Sequence, residues 1–265
     1  LAQQSTDNCA RLPDGQAFPP LIELLSVDST NNYALSLLKH PELTERQEMA
    51  GHGTAVFAHE QYAGKGQRGK TWQSQKGANI HLSVVLDPRK IDLQQQFLLI
   101  AMVALAVRDF FDRYAQSDIC IKWPNDIYFR NRKAGGILIE NIISGNEWKW
   151  AVAGIGLNIN QACFDDSIAK KAVSLRQITG REFDCLLLAT ELRNDILQGM
   201  EQINSPYLMT VYNRFLFKKD EKTRFEKDGQ VFEAVVREVL TNGQLAVHTD
   251  RELCFDFGDV SWVIE

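Results

Sequence analysis

A chain of 265 residues with 45% hydrophobic side chains is too apolar to be disordered and long enough for one large domain plus a small one. Its 29 Lys and Arg against 34 Asp and Glu leave a formal charge of −5, which excludes a protein held to nucleic acid by bulk charge. Five cysteines, an odd number with no C-x-x-C pair, argue against a disulfide framework or a zinc site and read as reduced thiols of a cytosolic protein.

The first twenty residues carry three prolines and no apolar period, the pattern of a loose extension. No basic-then-apolar leader precedes the first predicted element. The longest apolar run, residues 97–107, falls short of the roughly 20 residues that span a bilayer. Residues 21–27 predict a strand, after which Ser29 and Thr30 cap a helix running to about Leu38. Residues 54–59 predict a second strand. Residues 61–77 predict a loop, with four glycines set among Lys65, Arg68, Lys70 and Lys76. Ile80, Leu82, Val84 and Leu86 alternate as in a half-buried strand, and residues 97–114, apolar nearly all round, predict a buried helix.

Strands are then expected at 118–123, 127–129, 134–142 and 148–159, with turns at Arg130-Asn131-Arg132 and Ser144-Gly145-Asn146. Turns that short force antiparallel neighbours, because a parallel pair needs a crossover of about a dozen residues. Leu188, Leu192, Ile196, Met200 and Ile203 mark one helix face with Asp184 as its cap, and Pro206-Tyr207 opens a further helix to about Phe217. From Lys219, short β-type runs at 223–225, 230–240, 244–249, 252–257 and 260–264 predict a small barrel. The expected organisation is an extension over 1–20, a main domain over 21–218 and a barrel domain over 219–265.

Gly64 through Thr71 satisfies both G-x-x-x-x-G-K-[ST] and G-x-G-x-x-G. A phosphate-binding P-loop works because a helix starts at its Lys-Thr and aims backbone amides at the phosphates. Trp72-Gln73-Ser74-Gln75-Lys76-Gly77 follows instead and cannot form an amphipathic helix, so the P-loop reading fails. The chemistry survives that rejection: glycines permit close backbone approach, and Lys65, Arg68 and Lys70 suit a polyphosphate. A solvated basic loop fits the same composition equally well.

Downstream, Lys122-Trp123-Pro124-Asn125-Asp126 closes one strand, where Pro124 cannot donate a ladder hydrogen bond. Asn125 alone reads as a strand-end residue bonding its own backbone. Lys133 opens a strand containing Gly135-Gly136, a signal for a bulge or for a ligand pressed against the backbone. Residues 154–160 give a similar reading. Ser29-Thr30-Asn31, taken alone, reads as a helix cap.

In their order and spacing, Ser26 through Asn31, Gln61 through Trp72, Lys-Trp-Pro-Asn-Asp at 122–126, Lys133 through Glu140 and Gly154 through Asn160 resemble the biotin protein ligases, the biotin–[acetyl-CoA-carboxylase] ligases. The resemblance implies an α+β fold like that of class II aminoacyl-tRNA synthetases and biotin synthetases: a mixed sheet with flanking helices plus a C-terminal SH3-like β-barrel. It implies a cytoplasmic ligase that joins biotin to ATP as biotinyl-5′-AMP and then to a lysine of a carrier, forming a C–N bond. ATP and Mg2+ would be required, with biotin as substrate. The implied partner is the biotin carboxyl carrier protein of acetyl-CoA carboxylase or a related enzyme; neither DNA nor membrane is expected, and a homodimer stays open.

By the same resemblance, Ser29, Thr30, Asn31 and Gln61 belong to the biotin slot, bordered by Lys65, Gly66, Gln67, Lys133 and Gly136. Gly64, Lys65, Gln67, Arg68, Trp72, Lys122, Asn125 and Asn158 belong to the nucleotide. Lys133, Arg68 and Asp126 carry the chemistry, Asp126 as a metal-orienting carboxylate or general base. The family loop usually reads Gly-Arg-Gly-Arg-x-Gly; Lys65 keeps the charge but loses the guanidinium fork, and Gln67 loses the charge, so a less firmly held adenylate is expected. Many bacterial relatives add an N-terminal winged helix that represses the biotin operon. The stretch before the first strand offers no recognition helix, so a form without that domain is expected. A lipoate or octanoate transferase and a catalytically idle biotin sensor are the rival readings.

Overall fold

The computed structural model describes Pro19, residues 21–39 and residues 51–264; apart from Pro19, the expected extension over 1–20 lies outside the described residues. Seven strands form a mixed sheet: β1 (Leu21–Leu24), β2 (Ala55–Ala58), β3 (Asn79–Leu86), β4 (Ile119–Lys122), β5 (Asp126–Phe129), β6 (Arg132–Ser144) and β7 (Glu147–Asn158). Their order is β1-β2-β3-β7-β6-β5-β4, with β1 parallel to β2 and every other pair antiparallel. The predicted run of antiparallel strands from β4 to β7 is present, and Arg130 takes a left-handed conformation in the turn between β5 and β6. The first strand is shorter than expected: Val27 makes only an isolated bridge to Gln61.

Helix α1 (Thr30–Lys39) covers one face of the sheet, while α2 (Gln96–Ala115) and α4 (Cys185–Glu201) cover the other. This corrects the reading of β3 as half-buried, because every one of its residues is buried. Ile80, Leu82, Val84 and Leu86 enter the main core with Leu99, Met102 and Leu192, whereas Val85 lies under α1. Asp184 caps α4 as predicted, its carboxylate accepting the amides of Leu186 and Leu187. The short α3 (Leu175–Thr179) escaped the sequence reading, although Ser174 and Gln177 form a reciprocal capping box.

Helix α5 (Leu208–Arg214) carries the chain to a second, five-stranded antiparallel sheet, where a small barrel was expected. Its strands are β8 (Lys222–Lys227), β9 (Gln230–Val239), β10 (Leu245–His248), β11 (Glu252–Phe255) and β12 (Ser261–Val263). Asn213 fixes this sheet to α5 by exchanging hydrogen bonds with the Val239 backbone at 3.0 and 2.7 Å. Trp123 Nε1 donates to the Gly243 carbonyl at 2.8 Å, bringing the second sheet against the Lys122–Asp126 corner. No helix among the described residues is long and apolar enough to cross a membrane.

Candidate active site

The α1 face of the large sheet changes character along its strands. Val56, Val85 and Val152 are buried beneath Ala34 and Leu37. Further along β3 and β7 the same face turns small and polar, since side chains two residues apart share a face. Ser83, Gly154 and Leu138 stand in one cross-strand row; His81, Gly156, Gly136 and Asp126 stand in the next. Gly154, Leu138, Gly156, Gly136 and Asp126 of these rows floor a cavity of about 360 Å³, while Ser83 and His81 are buried outside its lining. Its remaining walls include α1's first residues, a flap running from Gln61 to Trp72, the Lys122–Asn125 corner, Phe257 and Gly258 between β11 and β12, and Trp262 of β12.

The slot end is a closed set of hydrogen bonds. Thr30 donates to Gln61 Oε1 from its amide at 2.7 Å, with its hydroxyl 3.1 Å from the same oxygen. The amide of α1's first residue is thus satisfied by the flap. Asn31 Oδ1 accepts from Ser83 at 2.6 Å, and Nδ2 donates to Glu140 at 2.8 Å and to the Leu138 carbonyl at 3.3 Å. Gly154 makes this possible, because a Cβ there would stand 2.2 Å from Asn31 Oδ1. Gly156 likewise admits Trp72, whose ring would lie 2.7 Å from an added Cβ.

The other end is cationic. Lys65, Arg68, Lys70, Lys122 and Lys133 line the cavity against Asp126 alone, in a chain whose net charge is −5. Lys133 reaches it through a bulge: Tyr128 pairs with Lys133 and Ile127 with Gly135, leaving Ala134 as the extra residue. The bulge breaks the period of two, so Lys133 falls on the same face as Gly136. Its Nζ lies 2.7 Å from Asp126 Oδ1 and 5.6 Å from the Trp72 ring centroid. A Cβ on Gly136 would come within 3.2 Å of both charged atoms. Lys122 Nζ lies 5.5 Å from the ring centroids of Tyr128 and Trp262, and burial lowers its pKa to about 8.

The flap forms a small hairpin in which Lys65 bridges to Thr71, with one turn of 3-10 helix at Gln67–Gly69. No helix starts at Lys70, as the rejection of the P-loop requires. Arg68, left-handed at φ 55°, donates to the Gly258 carbonyl at 3.1 Å and lies 5.9 Å from the Phe257 ring centroid. Behind the flap, His81 Nδ1 meets the Ala58 carbonyl at 3.1 Å, so Nε2 accepts the Ser74 hydroxyl at 2.5 Å. Burial holds His81 below the usual histidine pKa and therefore neutral. Trp72 Nε1, Trp262 Nε1 and Gln67 Oε1 are buried at the cavity without a partner among the described residues, as is Trp148 Nε1 away from it.

The cavity gathers Ser29, Thr30, Asn31, Gln61, Lys65, Gly66, Gln67, Arg68, Trp72, Lys122, Asn125, Asp126, Lys133 and Gly136, all singled out from the sequence. Two others lie outside its lining. Gly64 closes the base of the flap, where its carbonyl accepts the Trp72 amide at 2.9 Å. Asn158 donates to the Lys133 and Val173 carbonyls at 3.4 and 3.2 Å and so supports the strand that bears Lys133. Asn125 does not bond its own backbone; its side chain donates to the Ile137 carbonyl across the sheet. The sequence reading missed Leu138 and Phe257 as lining residues and Ser83 as the buried partner of Asn31. The polar odd-numbered positions of β3 were the available signal for Ser83.

No cluster of three His, Cys, Asp or Glu among the described residues suits a metal ion, and Asp126 is engaged by Lys133. Asp126 is the carboxylate that lines the cavity.

The chain belongs to the Biotin/lipoate A/B protein ligase family, whose model matches residues 26–158. Among curated proteins it is 36% identical over 137 residues to the bifunctional ligase/repressor BirA of Bacillus subtilis, covering 51% of this chain and 42% of that one. It is 34% identical over 167 residues to the biotin–[acetyl-CoA-carboxylase] ligase of Paracoccus denitrificans, covering 61% and 65%. The match spans about half the length of the bifunctional relatives, from 42% to 55%. The structure of biotin protein ligase from Aquifex aeolicus in complex with biotin and ATP superposes with a TM-score of 0.75 at 23% identity, over 94% of this chain and 100% of that one. At that identity the likeness establishes the fold.

Proposed function

We propose that the protein is a biotin protein ligase that attaches biotin to a lysine of a biotin carboxyl carrier protein through biotinyl-5′-AMP. The observation that carries this reading is the joining of two unlike halves in one cavity: an uncharged slot at Thr30 and Asn31, held by Gln61 and the buried Ser83, and a cationic end at Lys122 and Lys133. The slot suits the uncharged ring system of the vitamin; the cations suit a triphosphate. Paracoccus denitrificans biotin–[acetyl-CoA-carboxylase] ligase supplies the analogy for the carrier of acetyl-CoA carboxylase.

The biotin carboxylate attacks the α-phosphorus of ATP, the bond to the β-phosphate oxygen breaks, and pyrophosphate leaves. The carrier lysine, as a neutral amine, then attacks the acyl carbon and AMP leaves. Lys133 sits at the junction of the two halves, where a fixed cation stabilises charge on the transferring phosphoryl group more in the transition state than in the ground state. Asp126 holds Lys133 in place. Trp72 offers its ring to the adenine side, and Arg68, Lys65 and Lys70 lie on the flap that excludes water from the mixed anhydride. Magnesium enters with the nucleotide, as part of the substrate.

ATP–pyrophosphate exchange tests the reading. Exchange supported by biotin and not by lipoate is expected. Exchange with lipoate alone assigns the chain to the lipoate branch of the family, and biotin binding without exchange assigns it to a sensor.

A further inference from the structure

Glu140 has no role in the chemistry above, yet it touches both the slot and the flap. It follows Gly136 and Leu138 on the same face of β6, opposite Val152. Oε2 accepts from Asn31 Nδ2 at 2.8 Å, and Oε1 accepts from Lys65 Nζ at 3.3 Å. Asn31 is 3% exposed, whereas the Lys65 side chain is 40% exposed. One carboxylate therefore joins a buried residue of the floor to an exposed residue of the flap.

The hydrogen bonds continue on the far side of Asn31. Ser83 Oγ lies 2.6 Å from Asn31 Oδ1 and 2.7 Å from Thr30 Oγ1. Ser83 has one hydroxyl proton and Asn31 Oδ1 can only accept, so Ser83 serves Asn31 as donor or Thr30 as donor, but not both at once. With Ser83 donating to Asn31, the Thr30 hydroxyl donates to Ser83 and the Thr30 amide alone carries the bond to Gln61. The path leaves the flap at Gln61, crosses the floor, and returns to the flap at Lys65.

We propose that Glu140 is the positioning residue that closes this path, fastening the flap through Lys65 to the asparagine that floors the slot. Slot order and flap closure are then set by one carboxylate. The kinetic consequence rests on the biotin ligase reading; the consequence for the flap rests on geometry alone. Glu140→Gln separates the two bonds, because a carboxamide oxygen still accepts from Asn31 but offers no charge to Lys65.

Limited trypsin digestion of the ligand-free chain, read at the cut after Arg68, reports the flap directly. Glu140→Gln is expected to speed that cut about two- to fivefold, the scale of a half-exposed ion pair. Lys65→Met should do the same, and the double variant should cut no faster than the faster single one. In ATP–pyrophosphate exchange Glu140→Gln should raise the KM for ATP by a similar factor and leave the KM for biotin near that of the unaltered protein, because the bond to Asn31 is kept. Cutting of Glu140→Gln at the unaltered rate, or single effects that multiply in the double variant, overturns the proposal. If the unaltered protein shows no exchange, the ligase reading fails while the digestion cycle still decides the tie.

Discussion

Thr30, Asn31 and Ser83 are at most 3% exposed and lie within 2.7 Å of one another's oxygen atoms through Ser83. Across the cavity, Lys65 and Arg68 are exposed and each is tied by a single bond, at 3.3 Å to Glu140 and 3.1 Å to the Gly258 carbonyl. The floor pays its ordering cost during folding and presents fixed partners to a ligand, whereas the flap keeps its cations on weak tethers that a polyphosphate can outcompete. On the proposed function, recognition of the vitamin falls to the sheet, and retention of the nucleotide and the intermediate to the flap.

Substitutions on the two sides separate these assignments, beginning with the largest effect. Lys133→Ala removes the fixed cation at the junction and should lower kcat for adenylate formation about 10²–10³-fold while the fold persists. Pyrophosphate release equal to that of the unaltered protein would show that the reacting atoms lie elsewhere. Gly154→Ala drives a methyl group into Asn31, only 2.2 Å away, and breaks buried hydrogen bonds. Biotin affinity measured by calorimetry should fall about 5- to 150-fold, with ATP affinity little changed, because unsatisfied buried polar groups cost about 1–3 kcal/mol. A loss confined to ATP would reverse the floor assignment.

Arg68→Ala should show the opposite pattern, raising the KM for ATP about tenfold and sparing biotin, on the scale of a charge-assisted hydrogen bond. Lys122 gives the smallest effect and a pH signature. With its pKa lowered to about 8, the amine is charged below that pH and neutral above it. Its help in binding an anion therefore fades as pH rises past 8, and ATP affinity should drop a few-fold between about pH 7 and 9. Lys122→Arg keeps its charge throughout and should flatten the profile; an unchanged slope would remove Lys122 from the nucleotide end.

The contrast between floor and flap also explains which parts were readable from the sequence. The β4–β7 order followed from turn length alone, and the flap's glycines and cations are consecutive in the chain. The floor is assembled from residues far apart in sequence. Ser83 lies between core residues Leu82 and Val84, and its partner at Asn31 is supplied by the burial of a second face that alternation on β3 does not reveal. Gly135-Gly136 pointed to a bulge, but only the pairing register shows that Ala134 is the extra residue and that Lys133 is thereby aimed at Asp126. Phe257 and Gly258 join the site because Trp123 and Asn213 draw the second sheet against it, a tertiary event without a local pattern.

The central claim is transfer of biotin to protein, and intact-mass spectrometry of an apo carrier domain incubated with this protein, biotin and ATP measures it directly. The account predicts a gain of one biotinyl group on a single lysine, dependent on ATP. A carrier of unchanged mass after biotin and ATP have both been supplied, or one that gains a lipoyl group and never a biotinyl group when each acid is offered, would contradict it.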